Sequence, residues 1–599
     1  MKTPLDILKH IYGYNEFRGD QLEIINHIIA GNNAFVLMPT GGGKSICYQI
    51  PALIREGVGI VISPLIALMQ DQVTALKAVG VKAAYINSSM SFAEIDATIQ
   101  EIYAGNIDLL YVAPERLLME SFQNILKQIK VSLFAIDEAH CVSQWGHDFR
   151  KDYTELDCLA DRFPSVPRIA LTATADEPTR KDIIERLSFG DSKSFVAGFD
   201  RPNINYTITI KNNAKQQLLA FIKEYHHADS GIVYCVSRKA VEETSILLVD
   251  KGYNALPYHA GLHNNIRATN QDRFLKEDKI IIVATIAFGM GIDKPDVRFV
   301  AHMNVPKNIE AYYQETGRAG RDGLPSDAIM FYGLNDAATQ RNWIEQSDSI
   351  EDQKRIEHQK LNALLGLCEA AKCRRQILLD YFGDSGKPCG NCDNCQNPPE
   401  IFDGTIPAQK AISCVYRTEQ RFGVNYLIEV LVGTSNDRIV NFGHDKLSVF
   451  GIGGDYKKQE WQSVFRQLVA MNLLRVDMIE HGGLKITKDG FTFLKEKHIV
   501  NLRKYIGQIK IPQLAKAKIE LSLDSDEAQN LYTNLKATRL AIAKAQNVPP
   551  YIVFSNATLI EMAKTKPQNN NDLASINGVG DVKIKRYGKE FLEIVIPIP

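Results

Sequence analysis

The chain has 599 residues and a formal net charge of −1, so bulk charge does not by itself indicate a nucleic-acid partner. No run of about 18 apolar residues occurs, and the N-terminal segment MKTPLDILKH lacks a long apolar stretch, which argues against membrane insertion and secretion. We therefore expect a cytoplasmic protein of about four domains, in which any basic surface is local.

The first predicted strand, Ala34–Met38, runs into the glycine-rich segment MPTGGGKS at Met38–Ser45. Consecutive glycines let several backbone N–H groups point at one anion, and the helix that follows adds its positive N-terminal end. The lysine would reach the β and γ phosphates, and the serine hydroxyl would ligate Mg²⁺. Met38 stands where the general pattern has glycine, and a strand-to-helix turn without a ligand is the alternative. The predicted phosphate-binding residues are Thr40, Gly41, Gly42, Gly43, Lys44 and Ser45.

Upstream of this loop, the segment Tyr12–Gln21 (YGYNEFRGDQ) combines aromatic rings, an arginine and a glutamine. A ring can stack on adenine, and a glutamine amide can bond both N6 and N7 of that base. Taken alone, the segment fits core packing as well as it fits an adenine contact.

Downstream, short apolar runs alternate with helical patterns, which predicts βαβ units and a parallel sheet. The predicted strands are Val58–Ser63, Leu109–Val112, Leu133–Ile136 and Arg168–Thr172. The sequence Asp137-Glu138-Ala139-His140 follows the third of these runs, where an open α/β sheet places its ligand chemistry. We expect Asp137 to hold Mg²⁺ through its waters and Glu138 to orient and deprotonate the attacking water.

These segments resemble, in order, the motifs of superfamily-two helicases: MPTGGGKS, SPLIALMQDQ (Ser63–Gln72), YVAPERL (Tyr111–Leu117), DEAH and LTATA (Leu171–Ala175). The loop CVSQWGHDFR at Cys141–Arg150 resembles the aromatic-rich loop of the RecQ family. Stacking rings interleaved with a cation suit contact with single-stranded bases, although packing beneath the sheet is the alternative. The expected DNA-sensing residues are Trp145, His147, Phe149 and Arg150. The resemblance also implies nucleotide contacts by Tyr14, Arg18 and Gln21.

The segment FDRPN at Phe199–Asn203 predicts an interdomain joint before a second α/β series. The predicted strands there are Gly231–Val236, Ala255–His259, Lys279–Ala284 and Arg298–His302. Two arginines three residues apart in YYQETGRAGRDG (Tyr312–Gly323) lie on one side of a helical turn and can be aimed at a phosphate.

The family resemblance implies that Arg321 is an arginine finger supported by Arg318, and that Gln314 lies on the same cleft. It also implies a phosphate contact by Thr285 and a nucleotide-facing Asp293. A solvated turn around the two arginines is the alternative. With the phosphate loop in one lobe and the finger in the other, ATP would close the cleft, and cyclic closure would drive translocation.

Four cysteines follow with the spacing C-x15-C-x2-C-x2-C, which suffices for a tetrahedral thiolate site. They are Cys373, Cys389, Cys392 and Cys395. We interpret the cluster first as a structural Zn²⁺ site. An iron–sulfur cluster and a redox quartet are the alternatives. The RecQ family has a zinc module at this place. Arg374 and Arg375 either fix the adjoining helix or meet a phosphate.

Beyond the cysteines, residues 406–499 combine helices with a hairpin at Leu474–Thr487, which predicts a winged helix. For each candidate phosphate-facing residue taken alone, an ordinary surface position is the favoured interpretation; these residues are His444, Lys446, Lys457 and Lys458. As a RecQ C-terminal module it would seat duplex DNA at a fork.

A charged linker at 509–527 precedes a segment that resembles the helicase-and-RNase-D C-terminal (HRDC) domain, a small helical bundle. In it, Gly578-Val579-Gly580 is expected to expose backbone N–H groups to an anion beside three cations, Lys583, Lys585 and Arg586. Tyr551 either stacks on a base or belongs to the core.

The predicted fold is α/β: two RecA-like parallel-sheet lobes followed by a zinc-binding module, a winged-helix domain and a small all-α HRDC domain. The expected boundaries are 1–199, 200–336, 337–400, 401–508, a linker at 509–527, and 528–599. The resemblance implies an ATP-dependent DNA helicase moving 3′ to 5′ in repair, recombination and replication.

The expected cofactors are ATP, catalytic Mg²⁺ and structural Zn²⁺. The expected partners are single-stranded and forked duplex DNA and, from the family alone, single-strand-binding protein. We expect a monomeric enzyme that is associated with the nucleoid. Two rival interpretations are a DNA-binding scaffold with a lapsed ATPase and a DEAH-type RNA helicase.

Overall fold

The computed structural model describes residues 3–88, 90–143, 150–190, 192–286, 288, 293–477, 483–496, 498–505, 523 and 525–596. Three expected DNA-sensing residues, Trp145, His147 and Phe149, lie outside the described residues, as does most of the predicted linker. No helix in the described ranges combines the length and hydropathy that a membrane crossing requires.

Lobe 1 extends from the N-terminus through the first parallel sheet. Its strands are β1 Ala34–Leu37, β2 Val58–Ile62, β3 Ala83–Ile86, β4 Leu109–Val112, β5 Val131–Ile136, β6 Arg168–Thr172 and β7 Lys193–Val196. They form one parallel sheet in the order β3-β4-β2-β5-β6-β1-β7. Alternate residues of β1 enter two different cores, Phe35 on one face and Val36 on the other, because helices cover both faces.

The helices of lobe 1 connect these parallel strands. They are α1 Pro4–Ile7, a π-helix Leu8–Tyr12, α2 Gln21–Ile29, α3 Ile46–Ile54, α4 Ile66–Ala78, α5 Phe92–Tyr103, α6 Pro114–Leu118, α7 Glu120–Gln128, a 3₁₀ turn Ala139–Val142, α8 Lys151–Thr154, a 3₁₀ turn Glu155–Asp157, α9 Cys158–Arg162 and α10 Glu177–Arg186. The five strands expected in this lobe are confirmed, and β3 and β7 are strands that the apolar runs did not reveal.

Lobe 2 is a second parallel sheet. Its strands are β8 Ile204–Ile210, β9 Gly231–Tyr234, β10 Asn254–Tyr258, β11 Ile280–Ala284, β12 Phe299–His302 and β13 Ser326–Tyr332. Their order is β10-β11-β9-β12-β13-β8. The accompanying helices are α11 Ala214–Tyr225, α12 Arg238–Asp250, α13 Asn264–Lys276 and α14 Ile309–Thr316. The four strands expected here are confirmed, while β8 and β13 add one side of the sheet.

The cysteine-containing segment is helical. Its helices are α15 Leu334–Gln346, α16 Glu351–Glu369, α17 Arg374–Tyr381 and α18 Asp393–Gln396. It is bound to lobe 2 through the backbone N–H of Ile208, which donates to the Asp393 carboxylate at 3.1 Å. Lys360 of α16 lies 2.9 Å from Glu310 of lobe 2 and 3.6 Å from Asp176 of lobe 1, so one buried ammonium contacts both lobes.

The predicted winged-helix arrangement is present in the next segment. Its elements are β14 Ile401–Asp403, α19 Thr405–Arg417, α20 Val424–Val432, α21 Asp437–Asn441, a 3₁₀ turn His444–Lys446, α22 Lys458–Ala470, β15 Leu474–Asp477, β16 Gly483–Ile486, α23 Lys488–Glu496 and β17 Asn501–Arg503. The strands β15 and β16 pair antiparallel, which confirms the hairpin. Trp461 is fully buried at the centre of this core and donates its indole N–H to the Gly453 carbonyl at 2.9 Å.

The C-terminal domain is all helical. Its helices are α24 Asp526–Gln546, α25 Pro550–Val553, α26 Asn556–Thr565, α27 Asn570–Ala574 and α28 Asp581–Val595. The domain contacts both lobes. The Gly578 N–H donates to the Gly13 carbonyl of lobe 1 at 2.8 Å, and Lys276 of lobe 2 donates to the Asn547 side chain at 2.8 Å.

Candidate nucleotide cleft and zinc site

The strand order brings the phosphate loop and the acid pair to one edge of lobe 1. Strand β6 lies between β1, which leads into the loop, and β5, which leads into Asp137. Thr172, at the end of β6, contacts both neighbours: its carbonyl accepts the Met38 N–H at 3.1 Å, and its hydroxyl lies 2.9 Å from the His140 ring. This edge is formed by the carboxyl ends of parallel strands, where such sheets bind ligands.

The glycine-rich segment forms a strand–loop–helix unit, as predicted. Gly41 and Gly43 have φ values of 78° and 82°, a left-handed conformation that glycine adopts without the Cβ clash of other residues. Helix α3 begins directly after Ser45. The Lys44 ammonium donates to the Met38 and Pro39 carbonyls at 3.1 and 3.2 Å, which holds it across the mouth of the loop.

The three residues expected on the adenine side occupy different environments. Gln21 is buried, accepts the Arg18 N–H at 2.9 Å and donates to the Gly42 carbonyl at 3.1 Å. Its amide thus supports the phosphate loop, and an adenine contact would require these bonds to be exchanged. Tyr14 and Arg18 are exposed beside it. The expected nucleotide contacts of these residues stay predictions.

The acid pair follows β5. Glu138 has a φ of 50°, a left-handed conformation that is uncommon for residues other than glycine and costs about 1–3 kcal/mol. The Glu138 carboxylate lies 3.3 Å from the His140 ring, which also contacts Thr172, so the acid pair is connected to β6.

The charges at this edge are partly buried. Burial, and then the neighbouring Glu138, raise the pKa of Asp137 to about 7, while Lys44 opposes the shift. Burial also lowers the pKa of Lys44, against the attraction of both carboxyl groups. Burial, followed by Lys44 and Arg150, lowers the pKa of His140 to about 3, so this ring is neutral. A partly buried carboxyl pair at the same edge of the sheet as Ser45 offers oxygen donors that fit Mg²⁺.

The arginine loop, residues 317–323 of lobe 2, faces the phosphate loop. The Thr40 hydroxyl donates to the Gly317 carbonyl at 3.2 Å, and a methyl group at Gly317 would approach that hydroxyl to 2.4 Å. Arg321 pairs with Asp293 at 2.5 Å, and its Cα lies 3.6 Å from the position that a Cβ at Gly41 would take. The two lobes therefore meet at the expected catalytic residues.

One detail of the arginine prediction is wrong. Helix α14 ends at Thr316, so Arg318 and Arg321 lie in the turns after the helix and not on one helical face. Arg318 is buried near the Tyr234 hydroxyl, where its charge opposes the burial that raises the pKa of Tyr234. Gln314 is buried in the last turns of α14. Arg321 is thus the better placed of the two arginines for a nucleotide.

The four cysteines form a compact site. Their Sγ atoms all lie within 4.8 Å of one another, with 3.8 Å between Cys389 and Cys395 and 3.9 Å between Cys373 and Cys392. Tetrahedral Zn–S bonds place sulfurs about 3.8 Å apart. The backbone N–H groups of Cys389 and Arg374 donate to sulfur at 3.3 and 3.4 Å, which favours thiolates. The cluster fits structural zinc.

The arginines beside the cysteines are structural. Arg374 is buried and donates to both carboxylate oxygens of Asp393 at 3.0 and 3.1 Å, a bidentate pair that fixes α18 against α17. Arg375 pairs with Asp200 of the interlobe joint at 3.1 Å. The alternative in which these arginines meet a phosphate is not supported by their contacts.

Comparison with known proteins assigns each segment to a family model. The matches are a DEAD/DEAH box helicase domain at 18–183, a helicase conserved C-terminal domain at 211–323, a RecQ zinc-binding domain at 334–396, an RQC domain at 398–510 and an HRDC domain at 528–595.

Three bacterial relatives match over nearly their whole length. The ATP-dependent DNA helicase RecQ of Haemophilus influenzae is 44% identical over 99% of this chain and 96% of the relative. Proteins of the same name from Pasteurella multocida and Bacillus subtilis are 44% and 39% identical, covering 99% and 98% of this chain and 94% and 97% of the relatives. The chain belongs to the RecQ family of DNA helicases. The resemblance drawn from the motifs is confirmed.

The residues that were predicted to contact DNA in this RecQ chain differ in exposure and in their contacts. Arg150 donates to the Pro64 carbonyl at 3.0 Å, beside the SPLIALMQDQ motif. Lys585 and Arg586 are exposed, although Arg586 also donates to the Ala78 carbonyl of lobe 1 at 3.2 Å. Lys583 is partly buried over the Phe554 ring, and burial lowers its pKa to about 8. Of the three cations, Lys585 is therefore the one that is most available to DNA.

Packing corrects two of the DNA contacts expected in the HRDC domain, a backbone anion site and a base-stacking tyrosine. The glycine-rich turn of the HRDC domain does not expose its backbone N–H groups, because Gly578 donates to Gly13, and Val579 donates to the Ile576 carbonyl at 3.2 Å. Tyr551 is partly buried beside Asp296 and Arg539, at a small cavity of about 10 Å³ between the HRDC domain and lobe 2. Its base-stacking alternative is not favoured in this arrangement.

The structure of the winged helix also corrects the prediction for one residue. His444 is buried against the core, and its ring lies 2.8 Å from the Tyr426 hydroxyl, so it does not face a phosphate. Lys446, Lys457 and Lys458 are exposed, as a phosphate contact requires.

Sequence reasoning missed a chain of polar contacts across the RecQ cleft. Tyr12 donates to Gln49 at 3.0 Å, Gln49 to Gln72 at 3.4 Å, and Gln72 to Asp293 at 3.4 Å. Asp293 in turn holds Arg321. Gln72 belongs to the SPLIALMQDQ motif, which was the one available signal, but no spacing in the sequence indicates its partners.

Proposed function

We propose that this chain hydrolyses ATP between its two lobes and uses the cycle to move 3′ to 5′ along single-stranded DNA and unwind duplexes. One observation carries the proposal: the phosphate loop of lobe 1, at the same edge of the sheet as the acid pair, contacts the arginine loop of lobe 2. The direction of movement comes from the family resemblance.

The chemistry follows from the charges in the cleft. Lys44 and the loop N–H groups would hold the β and γ phosphates, and Arg321 would leave Asp293 to meet the charge that develops on the γ-phosphoryl group. Glu138, held in its strained conformation beside His140, would orient the attacking water and accept its proton. Bound through Asp137 and Ser45, Mg²⁺ supplies charge neutralisation at the phosphate oxygens.

Hydrolysis would be coupled to movement by separation of the lobes. Contacts such as Thr40–Gly317 exist only when the phosphate loop and the arginine loop are together, so each round of binding and release changes the relation of the lobes. The winged helix would hold the duplex while one strand is pulled past it. We propose DNA contacts by Trp145, His147, Phe149 and Arg150, and by the exposed lysines Lys446, Lys457, Lys458 and Lys585.

The domain boundaries predicted from the sequence, 1–199, 200–336, 337–400, 401–508 and 528–599, are kept as part of the proposal. We also propose a monomeric state, a cytoplasmic location on the nucleoid, and a single-strand-binding protein as partner. A DNA substrate supports a location on the nucleoid.

Phosphate release with and without single-stranded DNA, beside unwinding of 3′-tailed and 5′-tailed duplexes, tests the function. We expect DNA-stimulated hydrolysis and unwinding of the 3′-tailed substrate only. Lys44→Ala is the matched control that should abolish both. Hydrolysis without DNA stimulation would favour a scaffold, and equal loading on RNA tails would contradict the DNA specificity.

A further inference from the structure

The interlobe joint contains a buried arginine that binds both faces of the cleft. Arg201 is 8% exposed. One guanidinium nitrogen, Nη1, donates to the Thr40 carbonyl at 2.7 Å and to the Gly317 carbonyl at 3.0 Å. The other, Nη2, donates to the carbonyls of Ala319 and Gly320 at 2.8 and 3.1 Å. One side chain therefore joins the phosphate loop of lobe 1 to the arginine loop of lobe 2.

The joint that carries this side chain is itself fixed. The Phe199 carbonyl accepts the Tyr313 hydroxyl at 2.7 Å, and its N–H donates to Asp384 at 2.9 Å. The Asn203 amide donates to the Gly320 and Leu324 carbonyls at 2.7 and 2.9 Å. Because the joint is held on both sides of Arg201, the Arg201 guanidinium has little freedom to follow either loop separately.

The geometry of arginine suits this role. A guanidinium is planar, always charged and presents its donors in a rigid fork, so four carbonyls bonded to its two terminal nitrogens are held at set positions. Thr40 immediately precedes the glycines that would cradle the phosphates, and Gly320 immediately precedes Arg321. Two of the four bonds therefore end on the residues that directly precede the glycines and Arg321.

We propose that Arg201 is a positioning residue that sets the separation between the phosphate loop and Arg321. It acts through these loops and touches neither nucleotide nor reacting atoms. The inference rests on the proposed function, because it concerns the cleft in which ATP would be hydrolysed.

The effect of a change at Arg201 should fall on turnover and not on nucleotide binding. A displacement of about 1 Å between reacting groups can cost about 10²-fold in rate. Arg201→Lys keeps the positive charge but has a single nitrogen, so it can bridge fewer of the four carbonyls. We expect kcat for DNA-stimulated hydrolysis to fall about 100-fold, with KM and the affinity for a fluorescent ATP analogue within threefold of the parent.

A second variant and a control isolate the role. Arg201→Met, which removes every donor, should lose more turnover than Arg201→Lys. Arg375→Lys changes an arginine that reaches the same joint through Asp200 and contacts neither loop, and its kcat should stay within twofold of the parent. Titration with the fluorescent nucleotide counts the folded sites in every sample.

Three outcomes would overturn the inference. They are an Arg201→Lys enzyme with a parental kcat, a loss of turnover that is fully explained by fewer nucleotide-binding sites, and an equal loss in Arg375→Lys. A parent without DNA-stimulated hydrolysis would instead overturn the proposed function, and the inference with it. The parent assay alone distinguishes the two failures.

Discussion

The two lobes share one architecture and carry opposite chemistry. Both are parallel sheets with helices on their faces, but the functional residues follow strands β1 and β5 in lobe 1 and helix α14 in lobe 2. Lobe 1 presents a carboxyl pair and a phosphate loop, whereas lobe 2 presents Arg318 and Arg321. The difference shows that the fold alone does not supply catalysis, since neither lobe has a complete site without the other.

Buried histidines show the same contrast. In lobe 1, His140 lies near Lys44 and Arg150, and burial with these cations lowers its pKa to about 3. In lobe 2, His226 lies 3.0 Å from Asp229 and 3.1 Å from Asp327. Burial opposes its protonation, but the hydrogen bonds and charges of both carboxylates outweigh burial and raise its pKa. The pKa values of the two rings shift in opposite directions because their partners differ.

The largest effect is expected from the acid of lobe 1. Glu138→Gln keeps the size of the side chain but removes the base, so kcat should fall about 10⁴-fold. Nucleotide affinity should be retained, because Lys44 and the loop are unchanged. Phosphate release at saturating ATP and single-stranded DNA measures this. Glu101→Gln, exposed on α5, is the matched control. DNA-stimulated turnover that survives Glu138→Gln would reassign the base.

Removing the cation of lobe 2 tests the other half of the cleft. Arg321→Ala should lower kcat about 10³-fold, the range found for arginine fingers. If the two lobes act on one transition state, the double variant with Glu138→Gln should lose far less than the product of the single losses. Multiplicative losses would mean that Arg321 acts at a separate step.

The zinc module supports lobe 2 through α18 and β8. Cys389→Ser should release bound zinc and reduce the yield of soluble protein, because metal binding at such sites is coupled to folding. Metal content by atomic absorption gives the result, with Cys158→Ser in lobe 1 as control. Full zinc occupancy in Cys389→Ser would contradict the four-cysteine site.

The contact of the HRDC domain with lobe 1 has a steric test. A Cβ at Gly580 would lie 2.6 Å from the Ile11 carbonyl oxygen and 2.9 Å from that of His10. We therefore expect Gly580→Ala to separate the domain from lobe 1 and to increase the radius of gyration in small-angle scattering. Gly366→Ala, in α16 with open space around its Cβ position, should leave the radius unchanged. An unchanged radius in Gly580→Ala would mean that the interface tolerates the methyl group.

The smallest effect concerns pH and His226 of lobe 2, whose pKa is raised. A histidine with a raised folded-state pKa stabilises fully below its unfolded pKa, near 6.5, and loses that stabilisation as pH rises through the folded value. The parent should therefore lose more unfolding free energy than His226→Gln between pH 6 and pH 8.5, by on the order of 1 kcal/mol. Urea unfolding followed by far-ultraviolet circular dichroism measures the difference. Parallel pH profiles would contradict a raised pKa of His226.

Much of the fold was predictable because its signals are local. Each apolar run that was expected to form a strand does so. Strands β7 and β8 were missed because polar residues interrupt them, as the exposed Lys193 and Ser194 of β7 show, whereas β3 and β13 were missed although their residues are largely apolar. The order of strands within each sheet left no signal in the sequence, yet it is this order that places Thr172 between the phosphate loop and the acid pair.

The sequence by itself determined which chemistry each segment carries. The glycines before Lys44, the acids after β5 and the spacing of the four cysteines are short-range patterns, in which neighbouring residues set the geometry. Only the tertiary structure decided what those residues contact. Gln21 supports the phosphate loop, His444 enters a core, the HRDC turn packs on Gly13, and Arg201 joins both lobes. These contacts link residues far apart in the chain, so they depend on packing between elements and leave no local pattern.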